Sequence, residues 1–134
     1  MKRAFYPAGL MWLVFDPNNW VANRIGVVLV GPGYVPSPAH RTLLDVPDEA
    51  IVAGPALLRE RQRDGVELRG ANVTLRVGKK GAAYDAVLLF RDTGDEQTST
   101  LLAYLEQTPG TGVAGPMGVR WPKTKPLIQL PDTV

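Results

Sequence analysis

The chain has 134 residues, is 45% hydrophobic and contains no cysteine. It is therefore long enough for one domain with a hydrophobic core, while disulfides, thiolate metal sites and cysteine nucleophiles are excluded. Its 15 basic and 13 acidic residues give a net charge of +2 and are mixed along the chain, whereas a nucleic-acid-binding surface concentrates basic residues on one face, so we expect no nucleic-acid partner.

The N-terminal region, residues 1–23, is predicted to form an arm with a short helical turn that packs on the rest of the domain. Two basic residues precede an apolar patch, as in a secretory signal, but Pro7 and Gly9 interrupt that patch, and we expect no signal peptide. Residues 10–15 are apolar on all sides, which predicts one or two buried turns or a strand, ended by the Asp-Pro-Asn-Asn turn at residues 16–19. No run reaches the roughly 20 apolar residues of a membrane span, so no membrane partner is expected.

The next part of the chain predicts one strand followed by a long loop. Residues 24–30 are rich in β-branched side chains, which favours a strand, and the Gly-Pro-Gly sequence at residues 31–33 ends it. Residues 34–40 contain two prolines and predict an extended loop, in which His40, the single histidine, is exposed. The two leucines at residues 43–44 predict a short turn of helix.

A short strand is predicted at residues 51–53, ended by the Gly-Pro sequence at residues 54–55. Residues 57–63 then lead to Asp-Gly at residues 64–65, a common hairpin dipeptide. The sequence therefore predicts a tight turn at this point.

Alternate positions of the segment before this hairpin carry arginine. In an extended segment, alternate side chains share one face, so Arg59, Arg61 and Arg63 predict a basic stripe that can contact phosphate or an acidic protein surface. Glu60 and other acidic residues nearby dilute the stripe, and a solvated face is the alternative.

Residues 72–77 alternate between apolar and polar side chains, which predicts a half-buried strand. Val73, Leu75 and Val77 share the apolar face. The Gly-Lys-Lys-Gly sequence at residues 78–81 predicts an exposed turn after this strand.

The most informative pattern lies in residues 83–106. Two apolar runs, residues 86–90 and 101–105, flank a loop that has no hydrophobic residue. This pattern is typical of two buried strands joined by a solvated connection.

The polar loop carries three carboxylates, Asp92, Asp95 and Glu96, and its Asp-Thr-Gly sequence is the one found in aspartic proteases. That chemistry needs two such carboxylates that share a proton, and the chain has one copy. The spacing also differs from that of an EF-hand. We therefore predict a solvated loop, with no catalytic residue, no metal and no cofactor.

The C-terminal part predicts a turn at residues 108–112 and strands at residues 119–121 and 127–130, each limited by proline. Residues 122–134 are predicted to form a C-terminal extension with a loose end.

About seven or eight short strands are thus predicted, separated by turns that account for many of the 14 glycines and 12 prolines. This spacing predicts the all-β class, as a single compact domain over residues 1–134 with an antiparallel β-sandwich or barrel-like architecture.

Aromatic residues are concentrated toward the two ends of the chain. Such residues close a core or anchor a protein partner, and the core is the favoured interpretation. The candidate partner contacts are Trp12, Trp20, Tyr34, Arg59, Arg61, Arg63 and Trp121. Trp20 and Tyr34 would serve a carbohydrate-binding module if they lay exposed on a flat face.

Four segments of the chain together resemble a widespread family of small structural proteins of tailed bacteriophages. They are Ile25-Gly-Val-Val-Leu-Val with Tyr34, His40 with Leu43-Leu-Asp-Val-Pro47, Asp64-Gly-Val66 with Gly70-Ala-Asn-Val-Thr-Leu75, and Ala86-Val-Leu-Leu-Phe-Arg-Asp-Thr-Gly94 with Thr98-Ser99 and Leu101-Leu-Ala-Tyr-Leu105. The resemblance covers roughly residues 5–122. Family members have a longer N-terminal helix and an acidic end that contains less proline, and here the segment after Asp-Gly-Val is richer in arginine.

The resemblance implies a non-enzymatic virion protein, made in the host cytoplasm, that binds the major capsid protein or other virion proteins. We expect a homo-oligomer, with a trimer favoured, that decorates and stabilises the capsid surface. A head–tail connector, a tail or fibre-attachment component, or a module that binds carbohydrate or the host surface are the alternatives.

Overall fold

A five-stranded antiparallel sheet forms the centre of the fold. The computed structural model describes residues 3–78, 81–112, 115–121 and 125–131. The strands are β1 (Arg3–Phe5), β2 (Ile25–Val30), β3 (Ile51–Leu57), β4 (Gln62–Asp64), β5 (Glu67–Arg69), β6 (Val73–Arg76), β7 (Ala83–Arg91), β8 (Leu101–Thr111), β9 (Pro116–Val119) and β10 (Ile128–Gln129). The central sheet has the order β1-β8-β7-β2-β3.

Strands outweigh helices by 44% to 16%, which confirms the predicted compact all-β class. The described residues contain ten strands rather than seven or eight. The excess comes from strands of two or three residues such as β1 and β10, which are too short to produce a hydrophobic period. The helices are α1 (Pro7–Phe15) and α2 (Asn19–Ala22), and two single 3₁₀ turns lie at Leu43–Asp45 and Asp48–Ala50.

Strands β7 and β8 form a hairpin in the central sheet, which confirms the two buried, connected strands that the apolar runs predict. Val87 lies opposite Leu105, and Leu89 lies opposite Ala103. Both faces of these strands are covered, so residues 86–90 are buried without interruption. A strand covered on both faces needs apolar side chains at every position.

Alternate residues of the sheet supply two separate cores. The larger core contains Val27 and Leu89 and lies against α1, α2 and the small sheets. The smaller core contains Val28 and Leu88. It is covered by the segment between β2 and β3, residues 31–50, whose two leucines at 43–44 form part of a helical turn as predicted.

Two small sheets close the larger core, one of β10-β5-β4 and one of β6-β9. The predicted hairpin is confirmed, because Asp64 pairs with Glu67 across a turn in which Gly65 has a φ of 60°. The predicted alternation is also confirmed, since Val73 and Leu75 are buried and Thr74 is exposed.

Helix α1 is longer than the one or two turns predicted for residues 10–15. It begins at Pro7, a residue suited to the first helical position, and ends at Phe15 before an Asp-Pro turn. A Cβ on Gly9 would collide with the carbonyl oxygen of Leu101. The glycine therefore allows the helix to lie directly on β8.

Two strands run through prolines that were predicted to end them. Strand β3 continues through Pro55, and β8 continues through Pro109. Proline lacks an N–H donor and is tolerated on the unpaired side of an edge strand. Strand β3 is last in the sheet, and β1 pairs with β8 only as far as Leu105, so neither proline interrupts a ladder.

The C-terminal segment contains β10, which confirms the strand predicted at residues 127–130, and it supplies core residues. Leu127, Ile128 and Leu130 are buried in the larger core, and β10 pairs with β5. Residues 122–124 and 132–134 of that segment, and residues 79–80 of the predicted turn, lie outside the described residues.

Candidate interaction surface

Three of the four aromatic candidates are core residues. Trp20 is 0% exposed and donates its indole N–H to the Arg69 carbonyl oxygen at 3.0 Å. Trp121 is buried as well and donates to the carbonyl oxygen of Ala71 at 2.8 Å. Tyr34 is 4% exposed. Trp20 and Trp121 confirm the favoured interpretation as core residues. The alternative, that they or Tyr34 contact a partner or a carbohydrate, is corrected, because their polar atoms already have partners inside the fold.

Trp12 is the one aromatic candidate that reaches the surface. It is half-buried in α1, and the Arg91 guanidinium lies 5.1 Å from the centre of its ring. This distance permits a cation–π contact. Trp12 therefore stays a candidate for partner contact.

The basic stripe does not form. Strand β3 ends at Leu57 and β4 begins at Gln62, so the three arginines are not in one extended segment. Glu60 has a φ of 52°, a left-handed conformation that breaks the alternation of side chains.

Each arginine of the predicted stripe has a different environment. Arg61 donates to the carbonyl oxygens of Trp20 at 2.7 Å, Leu58 at 2.6 Å and Val21 at 3.1 Å, and it therefore ties α2 to the β3–β4 connection. Arg63 donates to Asn18 Oδ1 at 3.0 Å. Arg59 is exposed.

The exposed part of α1 is the strongest candidate for contact with a partner. Met11 is 69% exposed and Phe15 is 90% exposed. Residues four positions apart lie on the same side of a helix, so these two side chains form one apolar face, which we call the α1 surface. Helix α1 contains no charged residue, and a helix that is apolar on all sides is normally buried on all sides.

Sequence reasoning missed the α1 surface, although the signal was present. Residues 10–15 are apolar on every side, and this pattern predicts that all of them are buried. The side that faces outward depends on the contact between Gly9 and β8, which the sequence pattern does not specify.

A chain of hydrogen bonds runs through the smaller core. The hydroxyl groups of Tyr6 and Tyr34 are 2.6 Å apart, and Tyr34 Oη is 2.9 Å from His40 Nδ1. Burial raises the pKa of both tyrosines above the usual value. His40 is half-buried, so the prediction of an exposed histidine was wrong. These hydrogen bonds link the residue before α1, Tyr6, to the segment of residues 31–50.

The carboxylates of the β7–β8 loop support its backbone. Asp92 Oδ1 accepts from the Gly94 N–H at 2.9 Å, and Asp95 Oδ1 accepts from the Gln97 N–H at 2.9 Å. These are short-range bonds typical of turns. The described residues contain no group of three His, Asp or Glu side chains placed to hold a metal ion.

One carboxylate in β7 is held in an unfavourable position. Oδ1 of Asp85 is buried and has no hydrogen-bond partner among the described residues. Burial, with the nearby charge of Glu106, raises the pKa of Asp85. Burial and the charges of Asp85 and Glu106 also raise the pKa of Tyr104.

No protein-family model matches the chain, and no curated protein matches its sequence significantly. Among the described residues, no helix is long and apolar enough to cross a membrane.

Proposed function

We propose that the chain is a structural protein of a bacteriophage virion, and specifically a decoration protein that binds and stabilises the lattice of the major capsid protein. The observation that carries this proposal is the α1 surface, because large apolar groups exposed together mark sites of protein contact. The four segments that resemble phage structural proteins support the choice of partner.

The size of the α1 surface suits a contact that is repeated many times. Full burial of a Phe or Met side chain contributes about 1.5–3 kcal/mol, so Met11 and Phe15 supply a modest gain for each copy. A homo-oligomer, with a trimer favoured, engages several lattice sites together, and multivalency then raises the overall affinity without new contacts.

A head–tail connector, a tail component or a fibre-attachment component would use the same kind of protein contact. A carbohydrate-binding module has less support, because Trp20 and Tyr34, on which that alternative rested, lie inside the fold.

The proposal is tested by adding purified protein to phage particles that lack it and measuring co-sedimentation. We expect the wild-type protein to sediment with the particles, and a double variant, Met11→Ser with Phe15→Ser, to lose about tenfold or more in affinity. Val35→Ser is the matched control, since Val35 is 74% exposed in a different segment. If the double variant binds the particles as well as the Val35→Ser control does, the α1 surface is not the contact site.

Cryo-electron microscopy of the decorated particles then locates the domain. Density on the capsid lattice supports decoration, and density at the tail alone replaces it with the tail or connector alternative.

A further inference from the structure

Strand β1 has an open edge. It is the first strand in the order of the central sheet and pairs with β8, with Ala4 opposite Tyr104 and Phe5 opposite Ala103. No strand of the described residues lies on its other side. The edge of a sheet presents backbone N–H and C=O groups to any extended chain that approaches it.

The hydrogen bonds between β1 and β8 determine which backbone groups of β1 point toward the open edge. The Tyr6 N–H donates to the Leu102 carbonyl oxygen at 3.1 Å. In an antiparallel pair, alternate residues bond to the partner strand, so Ala4 also bonds toward β8. The backbone groups of Phe5 therefore point away from β8, toward the open edge.

A small hollow lies on each face of this edge, and both hollows share Ala4 and Phe5. The first has a volume of about 140 Å³ and is completed by Tyr6, Ser37 and two prolines. The second has a volume of about 170 Å³ and is completed by apolar residues that include Leu105 and by Gln129. Tyr6 belongs to the smaller core and Leu105 to the larger core, so the hollows lie on opposite faces of the sheet.

Size and charge define what can fill these hollows. A cavity of about 150 Å³ in a protein core can hold a benzene molecule, so each hollow has room for one apolar side chain. Among the residues that the structure describes, no charged side chain lines either hollow, and burial of an unpaired charge there would be costly.

We propose that the β1 edge binds an extended segment of another virion protein, which adds to the central sheet as a sixth strand. Successive side chains of a strand point to opposite faces, so two consecutive apolar residues of that segment enter the two hollows. Backbone hydrogen bonds provide affinity and the hollows provide specificity, as in other cases of strand addition. The proposed function supplies only the class of partner, a virion protein.

A second copy of this chain fits the edge less well. Its own Phe5 already packs against the larger core, and Ala4 offers only a methyl group. The other end strand of the sheet, β3, is already bonded on its outer side, where Ala53 forms a bridge with Val77. The Gly78 N–H also donates to the Val52 carbonyl oxygen at 2.9 Å. Strand β3 also contains Pro55, which has no N–H to donate. The partner segment therefore comes from a different protein.

The first experiment titrates the purified protein with a capped, uncharged octapeptide that has a central Val-Leu pair between threonines and glutamines. We expect NMR shift changes at the amides of β1, Ser37 and Gln129. Two matched peptides serve as controls, one with N-methyl groups on alternate amides and one with Asp-Asp in place of Val-Leu. The inference is overturned if the first peptide causes no shifts, or if the N-methylated peptide binds equally well.

Two surface variants test the hollows separately. Ser37→Asp keeps an oxygen for the Ala39 N–H that Ser37 Oγ now accepts at 3.2 Å, and Gln129→Glu changes an exposed position of β10. Each puts a negative charge beside one hollow and should weaken peptide binding about tenfold, with an unchanged melting temperature. Thr74→Asp, on an exposed position of β6, should bind like the wild type. Unchanged affinity in both hollow variants contradicts the proposal.

The last experiment separates this inference from the proposed function. A photoreactive residue at position 37 or 129 should label the same segment of one virion protein in decorated particles. Peptide binding without any association with particles would overturn the proposed function and leave the open edge as a binding site. Association with particles, without peptide binding and without labelling, would overturn only the inference.

Discussion

The two faces of the central sheet are covered in different ways. On the larger-core face, α1, α2 and the two small sheets bury side chains such as Leu75 and Leu89 completely. On the smaller-core face, the cover is one segment, residues 31–50, which contains single 3₁₀ turns but no strand. That segment is bonded to the start of β8, where the Leu101 N–H donates to the Arg41 carbonyl oxygen at 2.9 Å.

This difference indicates two sources of stability in one sheet. Close apolar packing stabilises the larger core, where the loss of even one methylene group lowers the stability. The smaller core also depends on polar atoms that must stay paired, since Tyr6 and Tyr34 bury their hydroxyl groups and an unpaired buried group is costly. Variants on the two faces should therefore differ in size of effect and in response to pH.

The largest effect is expected from truncation in the larger core. Leu75 is 0% exposed, and Leu75→Ala should lower the free energy of unfolding by about 2–5 kcal/mol, through lost burial and the cavity left behind. Urea unfolding measures this value. Leu44→Ala is the control, because Leu44 is 54% exposed, and its effect should stay within about 0.5 kcal/mol. Similar losses in both variants would show that burial does not distinguish these positions.

A smaller loss of stability is expected when the hydrogen bonds among Tyr6, Tyr34 and His40 are removed. Tyr34→Phe removes the bonds to Tyr6 and His40 and should cost about 1–3 kcal/mol, because it leaves the buried Tyr6 hydroxyl without that partner. A double-mutant cycle with Tyr6→Phe is the check. The double variant should lose less than the sum of the single variants, and strict additivity would mean that the two hydroxyl groups do not interact.

The sequence predicted the parts of the fold that local pattern controls. Alternation in residues 72–77 and the continuous apolar run at 86–90 follow directly from burial on one face and on two faces. The Asp-Gly hairpin follows from the left-handed conformation of Gly65. Each of these is decided by a few neighbouring residues, so no knowledge of the sheet order was needed.

The errors arose where a residue's environment comes from distant segments. Pro55 and Pro109 are tolerated because of their positions in the sheet, and the sequence does not state the order of strands. Trp20 is satisfied by a carbonyl group 49 positions away. Tyr34 and Trp121 are candidate partner contacts in the sequence for the same reason, although both are buried. The α1 surface was not predicted, because a helix that is apolar on all sides is normally buried.

The Asp45 side chain caps the start of the 3₁₀ turn at Leu43–Asp45, over the smaller core, and its removal should have a moderate effect on stability with a definite pH dependence. Asp45 Oδ2 accepts from the N–H groups of Arg41 at 2.7 Å and Thr42 at 3.2 Å, and these bonds hold the pKa of Asp45 below its usual value. Its stabilisation is therefore present above the unfolded-state pKa and lost as the pH falls through the folded-state pKa. Asp45→Ala should cost about 1 kcal/mol near neutral pH, and the loss should shrink in acid. Glu49→Ala is the exposed control, and an equal loss at all pH values would contradict the capping role.

The smallest effect on stability is expected from replacement of Asp85, and it should have the opposite sign, since the variant should be more stable than the wild type. Burial and the charge of Glu106 raise its pKa, so the native state favours the protonated carboxyl group. That contribution is present below the unfolded-state pKa and is lost as the pH rises through the folded-state pKa. Asp85→Asn keeps the shape of the side chain without the charge, and its melting temperature should exceed that of the wild type near neutral pH and converge with it in acid.

Thermal unfolding measured across pH distinguishes this behaviour from a general effect of charge. Glu49→Gln removes one negative charge from an exposed position and should not reproduce the difference. A destabilised Asp85→Asn variant at neutral pH would mean that the ionised carboxylate has a favourable partner, so the buried oxygen would not be a source of strain. In the expected case, both carboxylates make the stability pH-dependent with opposite signs, because Asp45 is bonded by backbone N–H groups whereas Oδ1 of Asp85 is buried without a partner among the described residues.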